Sequence, residues 1–509
     1  MNKKIKKVLI ANRSEISSRI IFTCKRLGIK TVSIYCPQDK FLPYVWQADQ
    51  NYPLSKNDFC AYIAQDEIIK IALNTKSDAI HPGYGFLSEN AQFAKKVIDA
   101  GLLWIGPSPK TIKQMSDKIL AKKIMQKFNI PVINGAYLKI ANKNSIKKKC
   151  EKIGFPIILK DPLGGGGKAI RKVNNPSELE NTLKTVISEA KTLSNSNQIL
   201  IEKYIEKGRH IEIQIAGDGK NFIHLYEREC SIQRRHQKII EESPCVFLDK
   251  NTLEKMYQTA IKTAKSVSYE NIGTVEFIVT PNQNFYFLEM NTRLQVEHSV
   301  TELTTGLDLV EMQIKIAQTK QLPYSQKEIS RNFHSIECRI YAEDPFKNFT
   351  PSSGKITNLK IPNGSFIRHD HNLEENQTIT SFFDPMISKI TTWGKNRQSA
   401  INNMIQALNQ FEINGIKTNI ALLKKIITSN EFLEGNIHTQ LLNDSAYQKK
   451  IFSLKTKLAN QDNELSEEEI CTIITTLLNE SKIYSTKKEH IPSKIKIKSN
   501  SQWRNKRWR

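Results

Sequence analysis

The chain has 509 residues; 39% of them are hydrophobic, 25% are charged, and the formal net charge is +24. This length and composition predict about three globular domains and exclude a chain that is disordered over most of its length. No run of about 18 uncharged apolar residues occurs, so a membrane-spanning helix is excluded too. The N-terminus carries too short an apolar segment for a secretory signal, and the eight cysteines show neither metal-site nor disulfide spacing, so we expect a cytoplasmic protein.

The positive charge is most concentrated at the C-terminus, where residues 487–509 hold nine Lys or Arg against one Glu. A basic surface of this kind can bind nucleic acid or an anionic partner. The sequence shows no basic platform with interleaved aromatic residues and no groove-reading motif, so nucleic-acid binding is not expected as the main function. Before this tail, Ser466 and Glu469 form a capping box that predicts a helix with an apolar face from Ile470 to Leu478.

The N-terminal part of the chain alternates strand-like and helix-like segments. In chain order they are the strand 7–11, the helix 16–27, the strand 31–35, the helix 61–73 and the short strand 79–80. A turn-rich segment, HPGYG at 81–85, follows the last strand. This order predicts an open parallel sheet, and ligands of such sheets bind at the C-terminal ends of the strands.

A run of four glycines, Gly164–Gly167, follows the apolar strand 156–160. The N–H groups of such a loop can surround phosphate oxygens, although a flexible turn explains the glycines equally well. Lys160 ends the strand, where a lone ammonium group needs an anionic partner. Lys118 follows a turn and is either a second phosphate ligand or an ordinary surface lysine.

Two carboxylates interrupt apolar strands. Glu276 lies within VEFI, and Glu289 lies within YFLEMN, with Asn291 two residues later on the same strand face. Burial of an unpaired carboxylate is costly, whereas oxygen atoms of this kind bind Mg²⁺ that bridges ATP phosphates. The alternative interpretation is a pair of structural salt bridges.

Arg293 follows the predicted metal strand, and Glu297 lies four residues further on. Arginine binds planar oxyanions through two hydrogen bonds, and a neighbouring glutamate can act as a base toward such an anion. The segment QRRHQK at 233–238 adds a cationic cluster that suits anion binding. A solvated charged face is the ordinary interpretation of such a run.

Longer motifs indicate a family. The chain resembles biotin carboxylase, an ATP-grasp ligase, over about residues 7–445. The segments that carry the resemblance are IANRSEI (10–16), HPGYGFLSEN (81–90), EKYIEKGRHIEIQ (202–214), ECSIQRRHQKIIEE (229–242), FLEMNTRLQVEH (287–298), ECRIYAEDP (337–345) and NGIKTN (414–419). Other ATP-grasp enzymes share the lysine, glycine-loop and Glu/Asn pattern, but HPGYGFLSEN and RRHQK are not expected in them.

The resemblance implies a mixed α/β and α+β architecture. It comprises an N-terminal open parallel sheet, an ATP-grasp domain with a mobile glycine-loop lid, and a C-terminal biotin carboxylase domain. The implied limits are 1–117, 118–330 with the lid at about 133–205, and 331–446, followed by a helical and basic extension, 447–509. Within the third domain, strand-like segments precede a predicted helix at 396–411.

The resemblance also implies the reaction. In this family, ATP and bicarbonate form carboxyphosphate with the help of Mg²⁺ or Mn²⁺, and the carboxyl group then passes to biotin on a carrier protein. The implied ATP-binding residues are Lys118, Lys160, Gly166, Gly167, Glu202, Lys203, Ile205, His210, Gln233, His236, Glu276 and Glu289. The implied metal ligands are Glu276, Glu289 and Asn291. The implied bicarbonate and biotin residues are Lys238, Arg293, Gln295, Val296 and Arg339; the catalytic set is Lys238, Arg293, Arg339 and the base Glu297.

The sequence contains no Met-Lys-Met biotinylation motif, so a separate biotin carboxyl carrier protein and carboxyltransferase subunits are the expected partners. The resemblance also implies a homodimer. The favoured role is the first half-reaction of acetyl-CoA carboxylase in fatty acid synthesis. One alternative is the same subunit of a two-chain pyruvate or propionyl-CoA carboxylase; an alternative of another class is an inactive homologue that acts in assembly or nucleic-acid binding.

Several positions depart from the family pattern. Ser14 replaces a glycine, Ser299 replaces a proline, and Tyr341 replaces an asparagine. Asp161–Leu163 and Lys168-Ala169 flank the glycine run where the family usually has small residues before it and Arg-Gly after it. None of these changes removes an implied metal, phosphate or bicarbonate residue, so they affect the expected behaviour of the lid more than the expected reaction.

Overall fold

The computed structural model describes residues 4–139, 143–162, 170–194 and 198–452. The chain divides into two compact units, Met1–Asn443 and Asp444–Arg509. The predicted glycine run and the predicted helix that begins at Ser466 lie outside the described residues. Among the described residues, no helix is both long enough and apolar enough to cross a membrane.

The N-terminal region forms the predicted parallel sheet. Its strands are β1 (Lys7–Ile10), β2 (Lys30–Tyr35), β3 (Gln50–Pro53), β4 (Ala79–His81) and β5 (Leu103–Trp104), in the spatial order β3-β2-β1-β4-β5. The helices are α1 (Ser14–Arg26), α2 (Pro43–Gln47), α3 (Gln65–Asn74), α4 (Ala91–Asp99) and α5 (Pro109–Ser116). Val8, Leu9 and Ile10 are completely buried, as expected for a parallel strand that is covered on both faces.

One helix in this region begins later than predicted. Asp58 accepts a hydrogen bond from the backbone of Cys60 and thereby caps a separate 3₁₀ helix, Phe59–Ile63. The α-helix therefore starts at Gln65, four residues after the predicted start at Ala61. Helix α1 begins at Ser14, two residues earlier than predicted.

A small antiparallel sheet follows the N-terminal region. The elements of this part of the chain are α6 (Lys118–Lys127), β6 (Gly135–Lys139), α7 (Lys143–Ile153), β7 (Ile157–Lys160), β8 (Ile170–Val173), α8 (Leu179–Ser194) and β9 (Gln198–Lys203). The strands pair in the order β6-β9-β7-β8. Lys160 and Glu202 therefore lie near each other on neighbouring strands, where Lys160 is opposite Leu200.

An eight-stranded antiparallel sheet provides most of the remaining framework. Its elements in chain order are β10 (Arg209–Asp218), β11 (Phe222–Arg234), β12 (Gln237–Ser243), α9 (Lys250–Ser266), β13 (Glu270–Val279), β14 (Phe285–Asn291), α10 (His298–Thr305), α11 (Leu309–Thr319) and β15 (His334–Tyr341). The later strands β20 (Ile367–His371) and β22 (Met386–Gly394) complete the order β14-β13-β10-β11-β12-β15-β22-β20. A single sheet thus runs from the predicted metal strands to the predicted C-terminal domain.

The remaining strands form three two-stranded sheets. They are β16 (Glu343–Asp344) with β17 (Thr350–Pro351), β18 (Gly354–Lys355) with β21 (Thr378–Ile379), and β19 (Asn358–Lys360) with β23 (Glu412–Asn414). The remaining helices are α12 (Arg397–Gln410), α13 (Ile420–Ile427), α14 (Asn430–Leu433) and, in the second unit, α15 (Ser445–Phe452). The helix predicted at 396–411 is confirmed to within one residue at each end.

The N-terminal sheet and the large sheet share one hydrophobic core. Ile16 and Ile20 from α1 belong to the same buried cluster as Leu294, which follows β14, and Leu309 from α11. This packing brings the C-terminal end of β1 next to the loop between β14 and α10. The loop carries most of the predicted bicarbonate-binding residues.

Candidate active site

Two adjoining cavities lie where the N-terminal sheet, the small sheet and the large sheet meet. The larger has a volume of about 520 Å³ and the smaller about 190 Å³. Both are lined by His210, His236, Glu276 and Glu289, so these four residues form the boundary between them. A ligand that extends from one cavity into the other would pass this boundary.

The predicted metal residues lie side by side because of strand pairing. Glu276 on β13 is directly opposite Glu289 on β14, and Asn291 lies two residues further along the same strand, opposite Thr274. Cross-strand partners project from one face of a sheet, as do residues two apart on one strand. Two carboxylates and an amide oxygen are hard oxygen donors, and this donor set suits Mg²⁺.

The Glu276 carboxylate is at the centre of a hydrogen-bond network. Its Oε1 atom accepts from Lys238 (2.8 Å), Asn291 (2.7 Å) and Gln295 (2.7 Å). Its Oε2 atom lies 3.1 Å from Nε2 of His210. Burial alone would raise the pKa of Glu276, but Lys238 and then His210 hold it well below the ordinary value.

His210 is held between a carboxylate and an amide. Its Nδ1 atom lies 3.0 Å from the side-chain nitrogen of Gln233, on the side of the ring opposite Glu276. Burial alone would lower the pKa of His210, but the charge of Glu276 raises it to about 9. Because an amide nitrogen can only donate, Nδ1 accepts from Gln233 and the ring proton is on Nε2, facing Glu276.

Lys238 contacts three carboxylates in the larger cavity. Its ammonium group donates to Glu212 (2.6 Å), Glu276 (2.8 Å) and Glu297 (2.7 Å). Burial alone would lower the pKa of Lys238, but the three carboxylates raise it well above the ordinary value. Arg228, whose side chain is completely buried, donates to Glu212 and to Gln295. It thereby orients Glu212, which contacts Lys238, and Gln295, which contacts Glu276.

Glu297 lies between two cations. Its Oε1 atom accepts from Lys238 (2.7 Å), and its Oε2 atom accepts from Arg339 (2.9 Å). Burial alone would raise the pKa of Glu297, but Lys238 and Arg339 lower it. Arg339 also donates to Glu241 (2.6 Å). Glu297 is therefore ionised at neutral pH, as a proton acceptor must be.

Arg293 is oriented by residues from two regions of the chain. It donates to Glu89 (2.9 Å), which follows β4, and to the side-chain oxygen of Asn291 (3.0 Å). Glu89 also accepts from the backbone N–H of Thr292 (3.0 Å). The guanidinium group lines the larger cavity in this orientation.

Three lysines from α6 and β7 line the smaller cavity. Lys118 lies 3.3 Å from Glu289, Lys160 lies 2.8 Å from Glu202, and Lys122 also pairs with Glu202. Burial, followed by the charge of Lys118, lowers the pKa of Lys160 to about 8. These three lysines thus surround Glu202 and Glu289, while the third carboxylate of this cavity, Glu276, is bound by Lys238, so an additional anion would be stabilised here.

His236 reaches the boundary between the cavities because of a tight turn. Arg235 and His236 connect β11 to β12, and both have positive φ angles, 48° and 64°. Such values are typical of a two-residue hairpin turn. Burial lowers the pKa of His236, so this imidazole is neutral at neutral pH.

Every predicted site residue among the described residues lines one of the two cavities. Gly166 and Gly167 lie outside the described residues. The Lys203 ammonium group donates to the backbone oxygens of Gly154 (3.0 Å) and Phe155 (2.8 Å), and is therefore occupied by main-chain contacts. Ile205 contributes an apolar wall to the smaller cavity.

Sequence reasoning missed four residues of the site, namely Glu89, Lys122, Glu212 and Arg228. Glu89 and Glu212 lie within the family-like segments 81–90 and 202–214, so they were visible there. Lys122 lies four residues after Lys118 on α6, a spacing that places both on one helix face. Arg228 gave no local signal, since only the pairing of β11 with β10 brings it to Glu212.

The positions that depart from the family pattern have defined environments. Ser14 adopts a φ of 59°, in the left-handed region that a glycine occupies at lower cost. Ser299 donates to Glu337 and lies 2.8 Å from the hydroxyl of Thr391. The Tyr341 hydroxyl donates to the backbone oxygen of Lys238 (3.4 Å). The last two changes thus add polar contacts, and Tyr341 itself lines the larger cavity.

Three family models match successive parts of the chain. The model of the biotin carboxylase N-terminal domain matches residues 4–112. The model described as carbamoyl-phosphate synthase L chain, ATP binding domain, matches residues 117–325. The model of the biotin carboxylase C-terminal domain matches residues 337–444.

Curated proteins and solved structures show the same similarity. Biotin carboxylase 2 of Bacillus subtilis is 46% identical over 86% of this chain and 98% of its own length. One pyruvate carboxylase subunit, from Methanothermobacter thermautotrophicus, is 42% identical over 91% of this chain and 94% of its own length. The crystal structure of the biotin carboxylase domain dimer of 2-oxoglutarate carboxylase from Hydrogenobacter thermophilus, in complex with MgADP, ADP and bicarbonate, has a TM-score of 0.86 and 41% identity, and the match covers 88% of this chain and 99% of that one.

Proposed function

The chain belongs to the biotin carboxylase family of ATP-dependent ligases, and from this premise we propose that it carboxylates biotin on a separate carrier protein. The observation that carries the proposal is the environment of Glu297. This ionised carboxylate lies between Lys238 and Arg339, in a cavity that adjoins the lysine-lined one. A base flanked by two cations suits a reaction whose substrate is an anion that must lose a proton.

The smaller cavity is the proposed ATP site. Lys118 and Lys160 bind phosphate oxygens, and their position in the wall of this cavity supports this role. Glu202, Lys203, Ile205, Gln233, His210 and His236 complete the proposed nucleotide site, together with Gly166 and Gly167. Glu276, Glu289 and Asn291 would hold Mg²⁺, which when bound neutralises phosphate charge.

The larger cavity is the proposed site of bicarbonate activation. Lys238, Arg293, Gln295 and Val296 bind bicarbonate, and Glu297 accepts its proton. The bicarbonate oxygen then attacks the terminal phosphorus of ATP, the bond to ADP breaks, and carboxyphosphate forms. A bound anion also attracts Lys238 and so weakens the hydrogen bond from Lys238 to Glu297. The pKa of Glu297 then rises, and the carboxylate is a stronger base when substrate is bound.

The second step transfers the carboxyl group to biotin. Carboxyphosphate breaks into CO₂ and phosphate, the phosphate takes the proton of a ureido nitrogen of biotin, and this nitrogen then forms the bond to the carbon of CO₂. Arg339 stabilises the negative charge that develops on the ureido oxygen. In the absence of that charge, Arg339 is held by Glu241 and Glu297, so it is oriented before the substrate arrives.

We propose acetyl-CoA carboxylase as the complete enzyme, with a biotin carboxyl carrier protein and carboxyltransferase subunits as partners and a homodimer as the assembly. The similarity to Biotin carboxylase 2 of Bacillus subtilis supports the biotin carboxylase step of this enzyme. A two-chain pyruvate carboxylase is the second candidate. It is favoured by the relative from Methanothermobacter thermautotrophicus, whose match extends over 91% of this chain.

Two assays test the proposal. The purified chain is incubated with ATP, Mg²⁺, bicarbonate and free biotin, and the release of ADP is measured. We expect release that depends on both bicarbonate and biotin; release that responds to neither would refute the proposed activity. Reconstitution with candidate carrier and carboxyltransferase subunits, followed by measurement of carboxylated acetyl-CoA and carboxylated pyruvate, then separates the two candidate enzymes.

A further inference from the structure

Three charged side chains form a row across the C-terminal half of the large sheet. Arg339 on β15 is directly opposite Lys389 on β22, and Lys389 is directly opposite Asp370 on β20. Cross-strand partners project from the same face of a sheet. The three side chains therefore lie side by side beneath the loop that carries Glu297.

Two members of this row contact consecutive residues of that loop. Arg339 donates to the carboxylate of Glu297 (2.9 Å), and the ammonium group of Lys389 donates to the backbone oxygen of Val296. The Val296 carbonyl belongs to the planar peptide group that connects Val296 to Glu297. Lys389 therefore fixes the main chain from which the Glu297 side chain extends, while Arg339 fixes the end of that side chain.

The position of Lys389 is costly, which argues that it serves a purpose. Its side chain is completely buried, and Nζ lies 3.5 Å from Glu337 and 3.8 Å from Asp370. A buried ammonium group is tolerated only when carboxylates balance its charge, and apolar residues in place of the whole ion pair would often be no less stable. The two carboxylates balance the charge here, while the backbone of the loop accepts the hydrogen bond.

Glu337 holds the start of helix α10, which directly follows the loop. Its completely buried side chain accepts from the hydroxyl of Thr391 (3.1 Å) and from Ser299, which lies in the first turn of α10. The loop between β14 and α10 is thus attached to β22 at Val296 through Lys389, and the start of α10 is attached to β15 at Ser299 through Glu337. A proline at position 299 could not make this contact, because it has no hydroxyl group.

We propose that Lys389 is a positioning residue for the bicarbonate end of the site, an inference that rests on the proposed function. Lys389 lies outside the walls that the described residues form around the two cavities, so it acts through the loop and not on the substrate. By fixing the peptide between Val296 and Glu297, it keeps the base within reach of Lys238 and Arg339.

Two variants separate positioning from stability. Lys389→Met removes the hydrogen bond to Val296 and leaves Glu337 buried without its nearest ammonium group, so it should lower both activity and thermal stability. Lys389→Met combined with Glu337→Gln also removes the uncompensated charge, so thermal stability should recover while activity should not. Lys360→Met is the matched control, because Lys360 is exposed on β19 and pairs with Glu412 at the surface.

The measured quantities are the rate of biotin-dependent ADP release as bicarbonate is varied, and the affinity for MgADP by titration calorimetry. In both Lys389 variants we expect kcat/KM for bicarbonate to fall by about 10- to 100-fold, since a displacement of about 1 Å has effects of that size. The affinity for MgADP should stay within about twofold of the wild-type value, as for distant sites that act independently. A purely structural role would lower both quantities together or neither.

Each outcome decides the inference. A folded double variant whose kcat/KM for bicarbonate stays within about twofold of the wild-type value would overturn it. Failure of both variants to fold would also overturn it, because Lys389 would then serve folding and not positioning. A wild-type chain without biotin-dependent ADP release would instead refute the proposed function, so the two failures are distinguishable.

Discussion

Replacement of Glu297 by glutamine tests the assignment of the base. The substitution keeps the size of the side chain but removes the charge that accepts from Lys238 (2.7 Å) and Arg339 (2.9 Å). Each cation keeps another carboxylate: Glu212 lies 2.6 Å from Lys238, and Glu241 lies 2.6 Å from Arg339. Since neither cation loses its last partner, we expect the variant to fold, with a loss of about 1–3 kcal/mol of stability.

The expected loss of activity is larger than this loss of stability. A positioned general base contributes about 10²–10⁴-fold to the rate. At about 1.4 kcal/mol for each factor of ten, this contribution corresponds to about 3–5 kcal/mol of activation free energy. Glu297 lines only the larger cavity, so the affinity for MgADP should remain within about twofold of the wild-type value.

The assay is biotin-dependent ADP release at saturating ATP with bicarbonate varied, accompanied by calorimetric titration with MgADP. Glu412→Gln is the control, because Glu412 forms a surface ion pair with Lys360 in the two-stranded sheet of β19 and β23 and does not belong to the loop that carries Glu297. Turnover of the Glu297 variant within about twofold of the wild-type rate would show that Glu297 is not the base, since the loss expected for a base is at least 10²-fold.

The proposed metal site, the buried acid of α1 and the C-terminal extension give three more predictions. Glu276→Gln and Glu289→Gln should each raise the Mg²⁺ concentration needed for half-maximal ADP release, because each removes a charged oxygen ligand; unchanged Mg²⁺ dependence in both would identify them as structural carboxylates. Burial raises the pKa of Glu15 from 4.5 to about 8, so the free energy of unfolding falls as the pH rises between those two values. Glu15→Gln should therefore reduce the fall in unfolding free energy between about pH 6 and about pH 8, measured by urea denaturation, and an unchanged fall would contradict this. Truncation after Phe452, the end of α15, should preserve ADP release with free biotin but weaken co-purification with the carrier and carboxyltransferase subunits; intact co-purification would reject a docking role for the extension.

Local patterns in the sequence determined much of this protein. Apolar runs and their spacing predicted the strands of the parallel sheet and the helix at 396–411, because the periodicity of an element is a property of neighbouring residues. Long motifs indicated the family, and through it the residues that line the two cavities. The spacing of Glu289 and Asn291 alone placed both on one strand face, since side chains alternate along a strand.

Only the tertiary structure decided which distant residues meet. The pairing of Glu276 with Glu289 depends on the register of two antiparallel strands, and a shift of one residue would turn either side chain to the other face. Glu89 reaches Arg293 across 204 positions of sequence, and Lys389 reaches Val296 across 93. Contacts of this kind depend on how sheets pair and pack, which no local period records, and so the parts of the site that orient its catalytic residues became visible only in the folded chain.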